Sequence, residues 1–167
     1  ALGGAIFIAV FNVQVGLNRT VESSTRYFRA DVNLDLGRLY RIDQVEHEVR
    51  TLPGIERMEA WAATGAQILR PDGRVIGSLT ILAPPAGSPL VEPALLTGRW
   101  IEPDDEHAIT VNEAFWSDNP ALQPGDRLHL KIGDLEDDWV VVGIFQFTGA
   151  DERFAFANYE YLAPVLH

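Results

Sequence analysis

The chain contains no cysteine among its 167 residues. That absence removes disulfide staples, thiol nucleophiles and cysteine-bound zinc in one step. It does not decide the compartment, because many bacterial domains outside the cytoplasm also lack cysteine. Positive charge is scarce too, with 13 Lys and Arg against 24 Asp and Glu, a formal net charge of -11. A field of that sign repels phosphate backbones, so nucleic acid is set aside as a partner. No Walker-type phosphate loop occurs, and no Ser sits in a G-x-S-x-G elbow. No internal repeat or low-complexity tract stands out. The chain also begins at Ala1 rather than Met, which reads as a fragment of something longer.

What is present is an ordinary globular composition, 47% apolar and 22% charged, which argues against intrinsic disorder. The length suits one domain, or two small lobes sharing a core. The opening ALGGAIFIAVFNVQV is the exception, with Asn12 and Gln14 its only strongly polar residues. It is shorter than the ~20 residues of a full membrane helix, and it lacks the basic start and cleavage site of a secretory signal. A buried core helix, a signal remnant and the outer end of a membrane helix all remain open. The following GLNRTVESSTRYFRA grades into a polar stalk with scattered apolar residues. That favours a helix leaving a membrane, with Ile6, Phe7, Ile8, Val10 and Phe11 at its end. Without lipid these side chains need another apolar surface, such as a second copy of the chain.

Further along, RADVNLDLGRLY alternates Val32, Leu34 and Leu36 with Asp31, Asn33 and Asp35, the pattern of a half-buried strand. Ile42, Val45, Val49 and Leu52 then recur at helical spacing, with Asp43 and Glu46 as a capping box and Pro53-Gly54 as the stop. The segments 55–69 and 74–82 read as two strands joined at RPDGR, whose Asp-Gly suits a hairpin turn. PPAGSP, residues 84–89, is the best internal boundary. Beyond it, HAITVNEAFW runs from a strand into a helix starting near Asn112, RLHLKI alternates, and WVVVGIFQF is a continuous apolar strand of the central kind. FAFANYEYLAPVLH closes with a short strand and a helix. The expected class is α+β, mostly antiparallel sheet with few helices.

Chemistry is sparse. EPDDEH offers Asp104, Asp105 and His107 as metal ligands, but an acidic loop before a strand is the plainer reading. GDLEDD lacks the spacing of a calcium loop and reads as an acidic hairpin turn. His47, His107, His129 and His167 lie on separate elements and none accompanies a nucleophilic Ser. Trp61, Trp100, Trp116 and Trp139 could line a groove, though core packing is the more economical account. No cofactor or metal is expected.

The order of pieces then becomes familiar. TGRWIEPDDEHAITVNEAFWSDNPALQPGDRLHLKIGDLEDDWVVVGIFQF resembles the extracytoplasmic domain of the MacB/FtsX-like ABC transporter permeases. A "GR" and an acidic loop lead into AITVNE; a helix follows, then LQPGDRLHL, then WVVVGIF. RIDQVEHEVRTLPGIERMEA fits the family's earlier helix, and FANYEYLAPVL its closing strand and helix. The resemblance covers most of residues 20–167.

It implies a MacB-like periplasmic core with a βαββ porter-like unit and a smaller inserted lobe, the middle of the chain from about 84 to 124. Residues 1–20 would be the end of a transmembrane helix and stalk, and 21–167 the domain outside the cell membrane. The family places ATP hydrolysis on a separate ATPase subunit or domain and no catalytic residue here. The implied role is to transmit ATP-driven motion to a substrate or partner outside the membrane. A ligand-sensing receptor ectodomain, which would need a concave pocket, and a surface-anchored hydrolase are the alternatives.

Overall fold

The structure, a computed structural model, describes residues 29–30, 42–147 and 152–163. The opening apolar run with Ile6, Phe7, Ile8, Val10 and Phe11, and the alternating segment from Asp31 to Tyr40, lie outside the described residues. Among the described residues no helix is long and apolar enough to cross a membrane.

The first described helix, α1 (Ile42–Arg50), stands where the helical spacing places it. Thr51 and Leu52 turn its last carbonyls inward, with Thr51 N–H donating to Glu48 O at 3.2 Å and Leu52 N–H to Val49 O at 3.1 Å. Gly54 follows at φ +88, the left-handed stop that glycine permits. Val45 and Val49 are half-buried, whereas Leu52 is exposed.

Strand β1 (Ala62–Leu69) begins seven residues later than the apolar pattern suggests, and β2 (Val75–Ala83) runs back beside it. The late start has a covalent cause. Ala62 pairs with Ala83, and the next two residues on the β2 side are Pro84 and Pro85, which have no N–H to extend the ladder. The RPDGR turn is a three-residue loop. Gly73 N–H donates to Arg70 O at 2.8 Å, Arg70 N–H donates to Arg74 O at 2.9 Å, and Gly73 takes φ +79. This is a type I turn closed by a glycine bulge.

The remaining described elements are β3 (Ala94–Gly98), β4 (Ala108–Asn112), α2 (Glu113–Asp118), β5 (Arg127–Ile132), β6 (Leu135–Gln146), β7 (Phe154–Phe156) and α3 (Tyr159–Leu162). All seven described strands join one sheet in the order β3-β6-β4-β7-β2-β1-β5, and β5 also pairs with β6. The sheet therefore returns on itself. β6 is long enough to do this: its first half pairs with β5 and its second with β4 and β3. Among the described residues the resulting six-strand circuit leaves only β3 as an edge.

A mostly antiparallel sheet is only part of the outcome. The sheet is mixed, since β2 pairs with β7 and β4 with β6 in parallel. Period-two alternation reports which face is buried and carries no information on strand direction. The segment 84–124, read as a smaller lobe, contributes β3, β4 and α2 to this same sheet, with β4 between β6 and β7.

Side chains fill the inside of the circuit, as expected for so small a closed sheet. Ile81, Ile109, Val111, Leu130, Val141 and Ile144 are each wholly buried in one cluster, joined by Phe115 of α2 and Leu162 of α3. A second cluster lies on the other face: Val91, Ile101, Phe145, Phe154 and Phe156, flanked by half-buried Trp61, Trp100 and Phe147. One residue allows β6 to serve both. Val141 faces the first cluster and Val142 the second, and the register slips at Gly143, after which Ile144 points in and Phe145 out.

Candidate functional site

The residues that carry the family resemblance converge. Three stretches far apart in sequence, Gly98-Arg99, Pro124-Gly125-Asp126 and Val141-Val142-Gly143, form one backbone joint. Arg99 N–H donates to Val142 O at 3.0 Å, Gly125 N–H to Val141 O at 2.8 Å, and Val141 N–H to Asp126 O at 2.9 Å. Asp126 holds its own turn by accepting Gln123 N–H at 2.8 Å. The glycines are required by contact. A Cβ on Gly98, already at φ +75, would meet Val142 O, the Gly143 Cα at 2.8 Å and Pro124 Cγ at 2.9 Å. A Cβ on Gly143 would overlap the Arg99 carbonyl oxygen.

From this joint the Arg99 guanidinium reaches into the acidic loop. It donates to both oxygens of Asp105, at 2.6 and 2.7 Å, and to Trp100 O at 2.9 Å. Asp105 also accepts Glu102 N–H at 2.8 Å. Buried Asn158 closes the loop from the other side, its Nδ2 donating to Glu102 O at 2.6 Å and Asp105 O at 3.1 Å. The Arg99 hydrogen bond holds the Asp105 carboxyl below its ordinary 3.8, and Asp105 raises Arg99 in return.

A lowered folded-state pKa means that this contribution to stability is complete above pH 3.8. It is lost as the pH falls below that value. Asp105→Asn is expected to cost about 1–3 kcal/mol near neutral pH and to flatten the acid limb of a stability-versus-pH curve. Urea midpoints at several pH values check this, and an acid limb as steep as the parent's refutes it.

His107, next along the loop, takes φ +45, a conformation that costs a non-glycine residue roughly 1–3 kcal/mol. Its surroundings hold it there. Its ring meets Trp139 edge-on at 5.4 Å and Tyr161 at 4.7 Å, its Nε2 lies 3.0 Å from Asp137 Oδ2, and Tyr161 Oη lies 3.2 Å from Nδ1. Desolvation first, then the charges of Glu106 and Asp137, push the Tyr161 hydroxyl above its ordinary pKa. The cluster pins α3 to β6.

Asp104, Asp105 and His107 therefore do not form a metal site. Asp104 is exposed, Asp105 belongs to Arg99, and His107 faces Asp137 and Tyr161. Among the described residues no three His, Asp or Glu side chains gather around a point. GDLEDD is a turn only at Gly133-Asp134; the rest joins β6, where Glu136 meets Lys131 at 2.9 Å and Asp138 meets His129 at 2.8 Å. His47 is exposed, and His167 lies outside the described residues. Trp139 is in the main core and Trp116 packs against it, while Trp61 and Trp100 belong to the second cluster. Two shallow depressions, beside Arg50–Met58 and Asn119–Arg127, bring no nucleophile to a base.

The sequence reading passed over two buried asparagines. Asn158 clamps the acidic loop. Asn112 caps α2 and also binds the chain entering β7. Asn112 carried a usable signal, an Asn between a strand and an acidic helix start; Asn158 carried none.

No family model and no curated protein matches the chain. Two solved structures do show likeness. The periplasmic region of MacB from Actinobacillus actinomycetemcomitans is 13% identical at a TM-score of 0.45, over 70% of this chain and 56% of that one. The extracellular domain of the noncanonic ABC-type transporter YknZ from Gram-positive bacteria is 12% identical at 0.49, over 76% and 66%. The chain is similar to both transporter domains. It spans little more than half of the MacB region and about two thirds of the YknZ domain.

Proposed function

We propose that the chain is the extracytoplasmic domain of a MacB/FtsX-like ABC transporter permease, and that it transmits ATP-driven motion to a substrate or partner outside the membrane. One observation supports this above others. The "GR", "PGD" and "VVG" segments, each too common to mean much alone, meet at a single joint through backbone hydrogen bonds and close packing. Order and spacing in a sequence are thereby matched by contact in space.

Residues 1–20 are the outer end of a first membrane helix and its stalk, and 21–167 are the body, with an internal boundary near 84–89. The alternating segment 31–36, α1, β1 and β2 make up the βαββ unit. A separate ATPase subunit works through the membrane part, and Ile6, Phe7, Ile8, Val10 and Phe11 are where a second copy pairs if lipid is removed. A transmitting body has to move as a unit. The closed strand circuit and the Arg99–Asp105–Asn158 clamp suit that requirement better than they suit a reactive centre.

The test uses the full-length protein in lipid. It is expected to co-purify with an ATPase, and deletion of the domain is expected to leave ATP hydrolysis while abolishing coupled transport. A full-length protein with no membrane span shortly after His167 sinks the reading.

A further inference from the structure

The second aromatic cluster faces outward, and Arg29 is fastened to its rim. Arg29 N–H donates to Leu90 O at 2.9 Å, and its guanidinium pairs with the Glu92 carboxylate. Between those two anchors lies Val91, a buried member of the cluster with Phe145, Phe154 and Phe156. Trp61, Trp100 and Phe147 border it and are only half-buried. The ring planes are inclined to one another, with Trp100 at 5.8 Å from Phe145 and 5.1 Å from Phe156, so faces and edges remain to receive further rings.

The residues immediately before Arg29 are Tyr27 and Phe28, which follow the polar stretch ESSTR. Successive Cα atoms are about 3.8 Å apart, so chain continuity alone keeps both rings within reach of Val91 and the cluster rim. From the geometry we propose that this aromatic face is the seat of Tyr27 and Phe28. The end of the stalk is then bolted to the body by two rings and an ion pair. In function, resting on the transporter reading, this is the point at which displacement of the membrane tether is handed to the strand circuit. β7 and the second half of β6 supply the floor of the seat, and β6 leads directly to the Gly98–Gly143 joint.

The native chain lacks cysteine, so an introduced pair reports without background. In the full-length protein, Phe28→Cys with Val91→Cys is expected to close an intramolecular disulfide under mild oxidation. Phe28→Cys with Leu135→Cys is expected not to, because Leu135 opens β6 at the end opposite the residues that pair with β3. Phe28→Ala is expected to red-shift the tryptophan emission and increase its quenching by acrylamide, and Phe28→Leu to restore most of both.

Absence of the disulfide between positions 28 and 91, together with unchanged emission in Phe28→Ala, overturns the seat. So does a link that forms only between chains, which would give the face to a second copy. A link that forms within one chain but leaves the ATPase rate of the assembled protein unchanged upholds the seat and refutes the transmission role.

Discussion

Gly143→Ala is expected to abolish stable folding of the domain, at a cost of at least about 4 kcal/mol, in the exceptional tail of single substitutions. The added methyl would run into the Arg99 carbonyl oxygen, with the Arg99 carbonyl carbon at 3.0 Å and its nitrogen at 3.1 Å. All three are main-chain atoms, so no side-chain rotation gives relief. The main chain cannot retreat easily either. Arg99 N–H is bonded to Val142 O, and Gly98 on its other side is packed against Gly143 and Pro124. Separating the two strands would also undo the register slip that lets Ile144 face one cluster and Phe145 the other. Gly65→Ala is the control. Gly65 lies in β1, and a methyl added there would have nothing within 4 Å, so alanine should be close to neutral or slightly stabilising. Soluble yield and urea unfolding compare the two, and a Gly143→Ala midpoint close to the parent's refutes the steric account.

Features written in neighbouring residues were legible. The α1 periodicity, the Pro-Asp-Gly hairpin and the buried face of β5 depend on side chains a few positions apart, and each forms where the pattern places it. β6 was readable as a central strand for the same reason, since both its faces are apolar over most of its second half. What depends on distant pairing was not legible. Parallel contact between β2 and β7, or between β4 and β6, leaves no mark on either strand. The strand residues Asp137 and Asp138 looked like turn because their charges are met from outside their own segment, Asp138 by His129 across the ladder and Asp137 by His107. Likewise Asp105 looked like a free acid in a run of acids, and only the fold brings Arg99 to it. The glycine in VVVGIF was the one local sign of the joint, a break in a β-branched run where a bulge is the usual cause. Its partner strand could not be named from sequence.

The second large effect is expected from Asn112→Ala, a loss of about 3–5 kcal/mol, because this side chain serves two elements at once. Its Oδ1 accepts Phe115 N–H at 3.1 Å, capping α2, and Phe154 N–H at 3.2 Å, at the start of β7. Its Nδ2 donates to Glu152 O at 2.7 Å. Asn112 is 1% exposed, so water cannot replace the lost partner without opening the core. Capping alone accounts for roughly 0.5–2 kcal/mol. The remainder comes from the main-chain groups of Phe154 and Glu152, where each buried group left unpaired costs about 1–3 kcal/mol. Asn112→Ser separates the two shares. A serine oxygen can cap α2 but is too short to span from Phe154 to Glu152, so its loss should fall between those of the parent and Asn112→Ala. Amide hydrogen exchange localises the effect. Asn112→Ala should expose the Phe115 and Phe154 amides together, whereas Asn112→Ser should expose Phe154 and spare Phe115. If Phe154 keeps its protection in both variants, Asn112 is only a helix cap, and β7 is held in the sheet by its ladders to β2 and β4 alone.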